Sequence, residues 1–157
     1  MIFSESMRVR LLNQHHSLRE LVAGLTNFQW EERPAPGKWN IHEQLAHLAA
    51  YQPVFHQRME KIREESRPAF GRYVADEDPF FKTCCAKEND QLLNMIDSDR
   101  ELINHQLQSL LATEASREGI HPLFGSLTIV DWTEFFLLHE AHHLFSIWKL
   151  AHQLKPV

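Results

Sequence analysis

Near its C-terminal end the chain reads Leu138-His139-Glu140-Ala141-His142-His143-Leu144. On a helix, His139 and His143 are four residues apart and leave the same face with Cβ atoms about 5–6 Å apart. Two imidazoles at that separation can converge on one ion at about 2.1 Å each. Two ligands hold a metal poorly, so a third has to come from another element. His47 is the leading candidate, because Leu45-Ala46-His47-Leu48-Ala49-Ala50 embeds it in apolar sequence that turns towards an interior.

Several facts weigh on this reading. Eleven histidines in 157 residues yield about 0.75 such pairs by chance, so the spacing alone says little. A lone buried histidine is more often a hydrogen-bonded core residue than a ligand. Placement says more. The pair is in register with Trp132, Phe136, Ile147 and Leu150, facing inward where an unpartnered polar ring is costly. The same residues satisfy the pattern H-E-x-x-H, for which chance gives about 0.07 matches. In that zincin-like metallopeptidase reading Glu140 is the general base, activating a water on zinc for peptide hydrolysis. It requires an edge strand to align the substrate, and the sequence shows no strand.

Glu43, one turn before His47, and Glu140, directly after His139, are the two candidate catalytic proton-transfer groups. Each also reads as a solvated surface residue. His15 and His16 are neighbours, so only one of them can face a core. His142 could replace a partner of the pair geometrically. His42, His56, His105, His121 and His152 have no partner that spacing reveals and read as surface or structural.

Three neutral nitrogen ligands leave a divalent ion with open positions, the arrangement of catalytic rather than closed structural sites. Either a water or a thiol could be activated there, and the ligand set does not choose between them. Ligating imidazoles must be neutral, so metal affinity is expected to fall as pH drops through about 6.5. From a different class comes a non-catalytic, stress-related or binding protein whose metal, if any, is structural.

Four stretches with helical periodicity would position these residues. The first runs from about Ser4 to Phe28, with Met7, Leu11, Leu18, Val22 and Leu25 in register. The second runs from about Asn40 to Glu65; Asn40 and Glu43 form an expected capping box, and Pro53 should kink it. The third covers about Lys82 to Thr113, and the fourth about Ile129 to Leu154. Between them lie breakers at Arg33 to Gly37, Pro68 to Pro79 and Gly119 to Gly125. Each helix would span about 30–45 Å and carries one apolar stripe, and four such stripes close on one another. The predicted fold is all-α, a four-helix bundle forming one domain over residues 1–157.

Composition fits. Hydrophobic residues make up 43% and charged residues 24%, the balance of an ordinary globular protein. No apolar run approaches the roughly 18–20 residues of a membrane span, and no signal peptide is visible. A net charge of -5 with scattered basic residues argues against nucleic acid as a partner. The adjacent Cys84 and Cys85 do not form a normal structural disulfide, which points to a reducing cytoplasm.

The stretch Pro36-Gly37-Lys38-Trp39-Asn40-Ile41-His42-Glu43-Gln44-Leu45-Ala46-His47-Leu48 resembles the GKWS-x-x-E-x-x-x-HL opening of the second helix in the DinB/YfiT-like family. His139 and His143 match the H-x-x-x-H pair of that family's fourth helix, in order and at the right separation. The resemblance implies an up-down-down-up bundle with one divalent metal (nickel, zinc or iron) on His47, His139 and His143. It also implies homodimers, and a small-molecule substrate handled as a metal-dependent hydrolase or by transfer dependent on a low-molecular-weight thiol. Asn40 stands where the family more often has serine, an equivalent helix cap.

Overall fold

The computed structural model describes residues 2–154; Met1 and positions 155–157 of the expected domain lie outside the described residues. Among the described residues seven α-helices follow one another: α1 (Glu5–Asn13), α2 (Ser17–Val22), α3 (Asn27–Glu31), α4 (Ile41–Glu64), α5 (Pro79–Cys85), α6 (Asn89–Gln108) and α7 (Ile129–Leu154). Strands β1 (Glu118–His121) and β2 (Gly125–Thr128) precede α7. The bundle is formed by α1 with α2, α4, α6 and α7.

Side-chain contacts give the direction of each pair. His42 bonds Asn89, Arg100 reaches Gln52, and Gln106 reaches the His56 carbonyl, so α4 and α6 run parallel. Arg10 pairs with Glu134 and Gln14 with Glu140, so α1 runs parallel to α7. Gln44 meets His143, while Phe55 stacks on Phe136, so α4 and α7 are antiparallel. Leu11 receives Asn104, and Arg19 bonds Asp97, so the first helical pair opposes α6. The topology is up-down-down-up. Two parallel neighbours in sequence require a long crossover, and residues 65–88 supply it.

Local chemistry sets the boundaries. The Asn40 side chain accepts from the Glu43 amide at 2.8 Å, and Glu43 accepts from the Asn40 amide at 3.0 Å. That capping box starts α4, which continues through Pro53. The expected first helix is not continuous. It tightens into a 3₁₀ turn at Gln14–His16, where Gln14 leaves the helix surface to bond α7, and it ends at Gly24 with φ +79°. Thr26 and Gln29 then cap the separate α3. The third helix is also divided. Asp78 and Pro79 start α5, and a Glu88–Gln91 capping box restarts the chain as α6. In each case a capping signal interrupts a hydrophobic period that reads as unbroken.

The β-hairpin is a correction to the strand-free expectation. Glu118 pairs with Thr128 and His121 with Gly125, while Ile120 donates its N–H to the Pro68 carbonyl and accepts from the Phe70 N–H. Four-residue strands give too short an alternation to register against helical periods. The hairpin is held by its surroundings: the Trp132 indole donates to the Gly119 carbonyl at 3.3 Å. A Cβ on Gly119 would come within 2.7 Å of Phe70 and 2.8 Å of Ile62, so only glycine admits this approach.

Two apolar cores occupy opposite halves of the bundle. One gathers Leu18, Leu45, Leu92, Ile96 and Ile147; the other gathers Leu11, Phe55, Met59, Ile103, Trp132 and Phe136. Between them lies a polar waist. There Arg100 (0% exposed) is ion-paired with Glu140 (1% exposed), with Gln14, His15 and Gln52 around them. His47, His139 and His143 come from the same level of the bundle. No helix among the described residues is long and apolar enough to cross a membrane.

Candidate metal centre

His47 leaves α4 towards α7, and His139 and His143 leave α7 towards α4. The Nε2 atoms of His47 and His139 are 3.0 Å apart, and those of His143 and His139 are 3.1 Å apart. All three rings therefore present the same nitrogen to one point. Three ligands at about 2.1 Å around a tetrahedral ion stand about 3.4 Å from one another. The two spacings are a few tenths of an ångström tighter than that.

The donor chemistry fits a cation. His143 Nδ1 lies 2.5 Å from the Gln44 amide oxygen, which accepts only, so the His143 proton sits on Nδ1 and its Nε2 carries a lone pair. His139 Nε2 faces two other nitrogens at once. A cation takes three lone pairs together, whereas hydrogen bonds among the three rings would need one proton shared between two acceptors. Burial, and secondarily the neighbouring histidines, hold each of the three rings down to a pKa of about 3, so all are neutral at physiological pH. Rings held this low place proton competition for the ligands below the 6.5 of a solvated imidazole, in the lower part of the expected window. Nδ1 of His47 and of His139 are buried without a partner among the described residues, so only His143 has a protein group holding its second nitrogen.

The trio stands in the wall of a cavity of about 390 Å³, lined also by Trp39, Tyr51, Tyr73, His121 and Phe135. Trp39 packs on His47 at 5.1 Å and Tyr51 on His139 at 4.6 Å between ring centroids. Tyr73 comes from the crossover and donates its hydroxyl to Asp78 at 2.8 Å. Arg58, on α4, completes the wall. It donates to the Tyr51 hydroxyl at 3.2 Å and the Gly71 carbonyl at 3.0 Å.

The other sequence candidates lie elsewhere. Glu43 is occupied by the α4 cap and by an ion pair with Arg33. Glu140 is not a solvated residue: Arg100 and Gln14 hold its carboxylate in the polar waist, outside the cavity lining. As an H-E-x-x-H motif, the segment thus turns its glutamate away from its histidines. His15 is buried and His16 exposed. With Asp97 they form a second group of possible ligands, but Arg19 already bonds Asp97 at 2.7 Å. His15 is held down to about 4 by burial and by the nearby Arg100 charge, conditions that repel a cation. His42 bonds Asn89 and the Cys85 carbonyl, His152 stacks on Trp148, and His142 is exposed.

Gln44, Arg58 and His121 escaped the sequence reading. Arg58 had a signal. His47, Tyr51, Phe55, Arg58 and Ile62 form one continuous stripe of α4, and a lone arginine in such a stripe is anomalous. His121 had none, because the hairpin that delivers it was not visible.

The comparisons agree with this architecture. YuaE of Bacillus subtilis (strain 168) is 24% identical over 148 residues, covering 85% of this chain and 90% of YuaE. Among solved structures, YfiT from Bacillus subtilis, described as "a probable metal-dependent hydrolase with an unusual four-helix bundle topology", matches with a TM-score of 0.82 at 19% identity. That match covers 96% of this chain and 86% of YfiT. TT2238, described as a four-helix bundle protein, matches with a TM-score of 0.68 at 17% identity, over 92% of this chain and 98% of TT2238. Both are likenesses of fold. Residues 10–147 match the family model of the DinB superfamily, from the first helix into the fourth, and the chain belongs to that superfamily.

Proposed function

We propose that this chain is a metal-dependent enzyme acting on a small molecule, with one divalent ion (nickel, zinc or iron) held by His47, His139 and His143. The observation that supports it most is the convergence of three neutral Nε2 atoms, 3.0 and 3.1 Å apart, in the wall of a cavity. YfiT's description as a probable metal-dependent hydrolase points the same way. The ion would supply Lewis acidity and a field favouring deprotonation of a nucleophile, either water in hydrolysis or a low-molecular-weight thiol in S-transfer.

The residues around it have definite tasks. Gln44 fixes the His143 tautomer, so that its lone pair faces the ion. Trp39, Tyr51 and Tyr73 exclude water and give an apolar substrate body aromatic surfaces to lie on. Burial raises the Tyr51 and Tyr73 phenols above their ordinary value, so both remain neutral and act as hydrogen-bonding groups.

The working unit in this reading is one domain over residues 1–157, in a cytoplasmic homodimer. The test is a screen of ester, amide and thiol-transfer substrates, with the protein reconstituted in turn with nickel, zinc and iron. Turnover that requires a metal and disappears in His47→Ala supports the proposal. Metal-independent turnover, or full activity in His47→Ala, refutes it.

A further inference from the structure

Among the described residues two arginines are buried, Arg58 and Arg100. Arg100 is neutralised by Glu140, as a guanidinium taken out of water requires. Arg58 has no carboxylate partner among the described residues. Its hydrogen bonds go to a phenol and a carbonyl, both uncharged, and Tyr51 is kept in its neutral form by burial. The rings of Tyr51, Phe70 and Trp132 lie 5.9, 5.4 and 5.4 Å from the guanidinium carbon, which orients the cation without neutralising it. The charge borders the cavity that holds the three histidines.

A second donor faces the same space. His121 Nδ1 accepts the backbone N–H of Leu123 at 3.1 Å and of Phe124 at 3.2 Å. With that nitrogen occupied as an acceptor, the proton of the neutral ring is on Nε2, and the ring lines the cavity. Arg72 lies at the rim, exposed, and so does Asp76, the one carboxylate of the lining. No ion pair joins Asp76 to either arginine among the described residues.

We propose that Arg58 and His121 form the anion-recognition end of the substrate cavity, so that the substrate is a small carboxylate with an apolar body. Its carboxylate is held by the free N–H groups of Arg58 and by His121 Nε2–H, and its reactive end is presented to His47, His139 and His143. This deepens the reading of the cavity as the substrate site and rests on it, but the anion end needs no metal. A charge-assisted bond to a buried guanidinium is stronger than a neutral one, so a carboxylate is preferred over its amide by about tenfold or more.

The test is calorimetric titration of metal-free protein with phenylacetate and succinate, beside the uncharged phenylacetamide and succinamide. Indole N–H resonances are followed in the same titrations, since Trp132 touches the guanidinium. The wild type should prefer at least one carboxylate over its amide by about tenfold or more, with the Trp132 signal shifting. Arg58→Gln, folded by circular dichroism, should bind acid and amide alike, and Arg58→Lys should keep part of the preference. His142→Ala, at an exposed position outside the cavity lining, should keep it in full. Because the protein is metal-free throughout, failure of the metal reading leaves this outcome intact. Equal binding of acid and amide, no binding of any probe, or a preference undiminished in folded Arg58→Gln overturns it. If Arg58→Gln does not fold, the wild-type preference and the Trp132 shift decide.

Discussion

His143 Nδ1 sits 2.5 Å from the side-chain oxygen of Gln44, across the interface between α7 and α4. That contact decides which nitrogen of His143 carries its proton and aims the other at His47 and His139. Removing it leaves the ring free to adopt the wrong tautomer. Gln44→Ala is expected to weaken metal binding about tenfold to a hundredfold while the fold survives. Competition with a chromophoric chelator measures this, and an unchanged affinity means the tautomer is set by other groups.

The neutral rings make an acid-stability prediction. Each of the three histidines has a folded pKa of about 3, below the ordinary value of 6.5. Below pH 6.5 the unfolded state binds protons that the folded state refuses, so stability is full above that value and is lost as pH falls towards 3. Relative to pH 8, each ring costs about 1.4 kcal/mol at pH 5.5, or about 4 kcal/mol for the trio. Urea unfolding of metal-free protein at the two pH values tests this. Metal should leave together with the fold rather than in a separate titration near pH 6.5.

Glu140 has a structural task in the polar waist. Glu140→Ala strands the buried Arg100 charge and should destabilise the protein by about 3–5 kcal/mol. Replacing both members with apolar residues, Arg100→Met with Glu140→Leu, should recover most of that loss. Chemical denaturation of the single and double variants measures the coupling. Metal stoichiometry unchanged in the double variant would separate this role from any direct part in the centre.

Gly119 is the tightest point of the hairpin. Gly119→Ala drives a methyl into Phe70 and Ile62, and is expected to cost about 1–3 kcal/mol. Because the hairpin also carries His121 into the cavity wall, the variant should loosen carboxylate binding as well. A melting temperature equal to wild type would mean that the hairpin can move aside freely.

What was legible in the sequence follows from the range of the forces involved. His139 and His143 were readable because helical geometry alone puts them side by side, and His47 because its neighbours are apolar. Long hydrophobic periods gave the four main helices, and Asn40 with Glu43 gave the start of α4. Local caps at Thr26, Asp78 and Glu88 compete with those periods, which is why two expected helices are divided. Gln44, Arg58 and His121 meet the centre only through the crossover, the hairpin and the antiparallel register of α4 against α7. None of these contacts is encoded in spacing along the chain. Glu140 is the reverse case: its motif offered a base or a solvated helix residue, while the packing of α1 and α6 against α7 makes it half of a buried ion pair.

The central claim is that three histidines hold one ion. It is tested most directly by elemental mass spectrometry on untagged protein, alongside His47→Ala, His139→Ala and His143→Ala, with His142→Ala as the control one residue away. The account predicts about one equivalent of a divalent transition metal in the wild type and in His142→Ala, and its loss in the other three with helical content preserved. A wild type that stays metal-free after reconstitution with nickel, zinc and iron would contradict it, and so would full retention in any of the three variants.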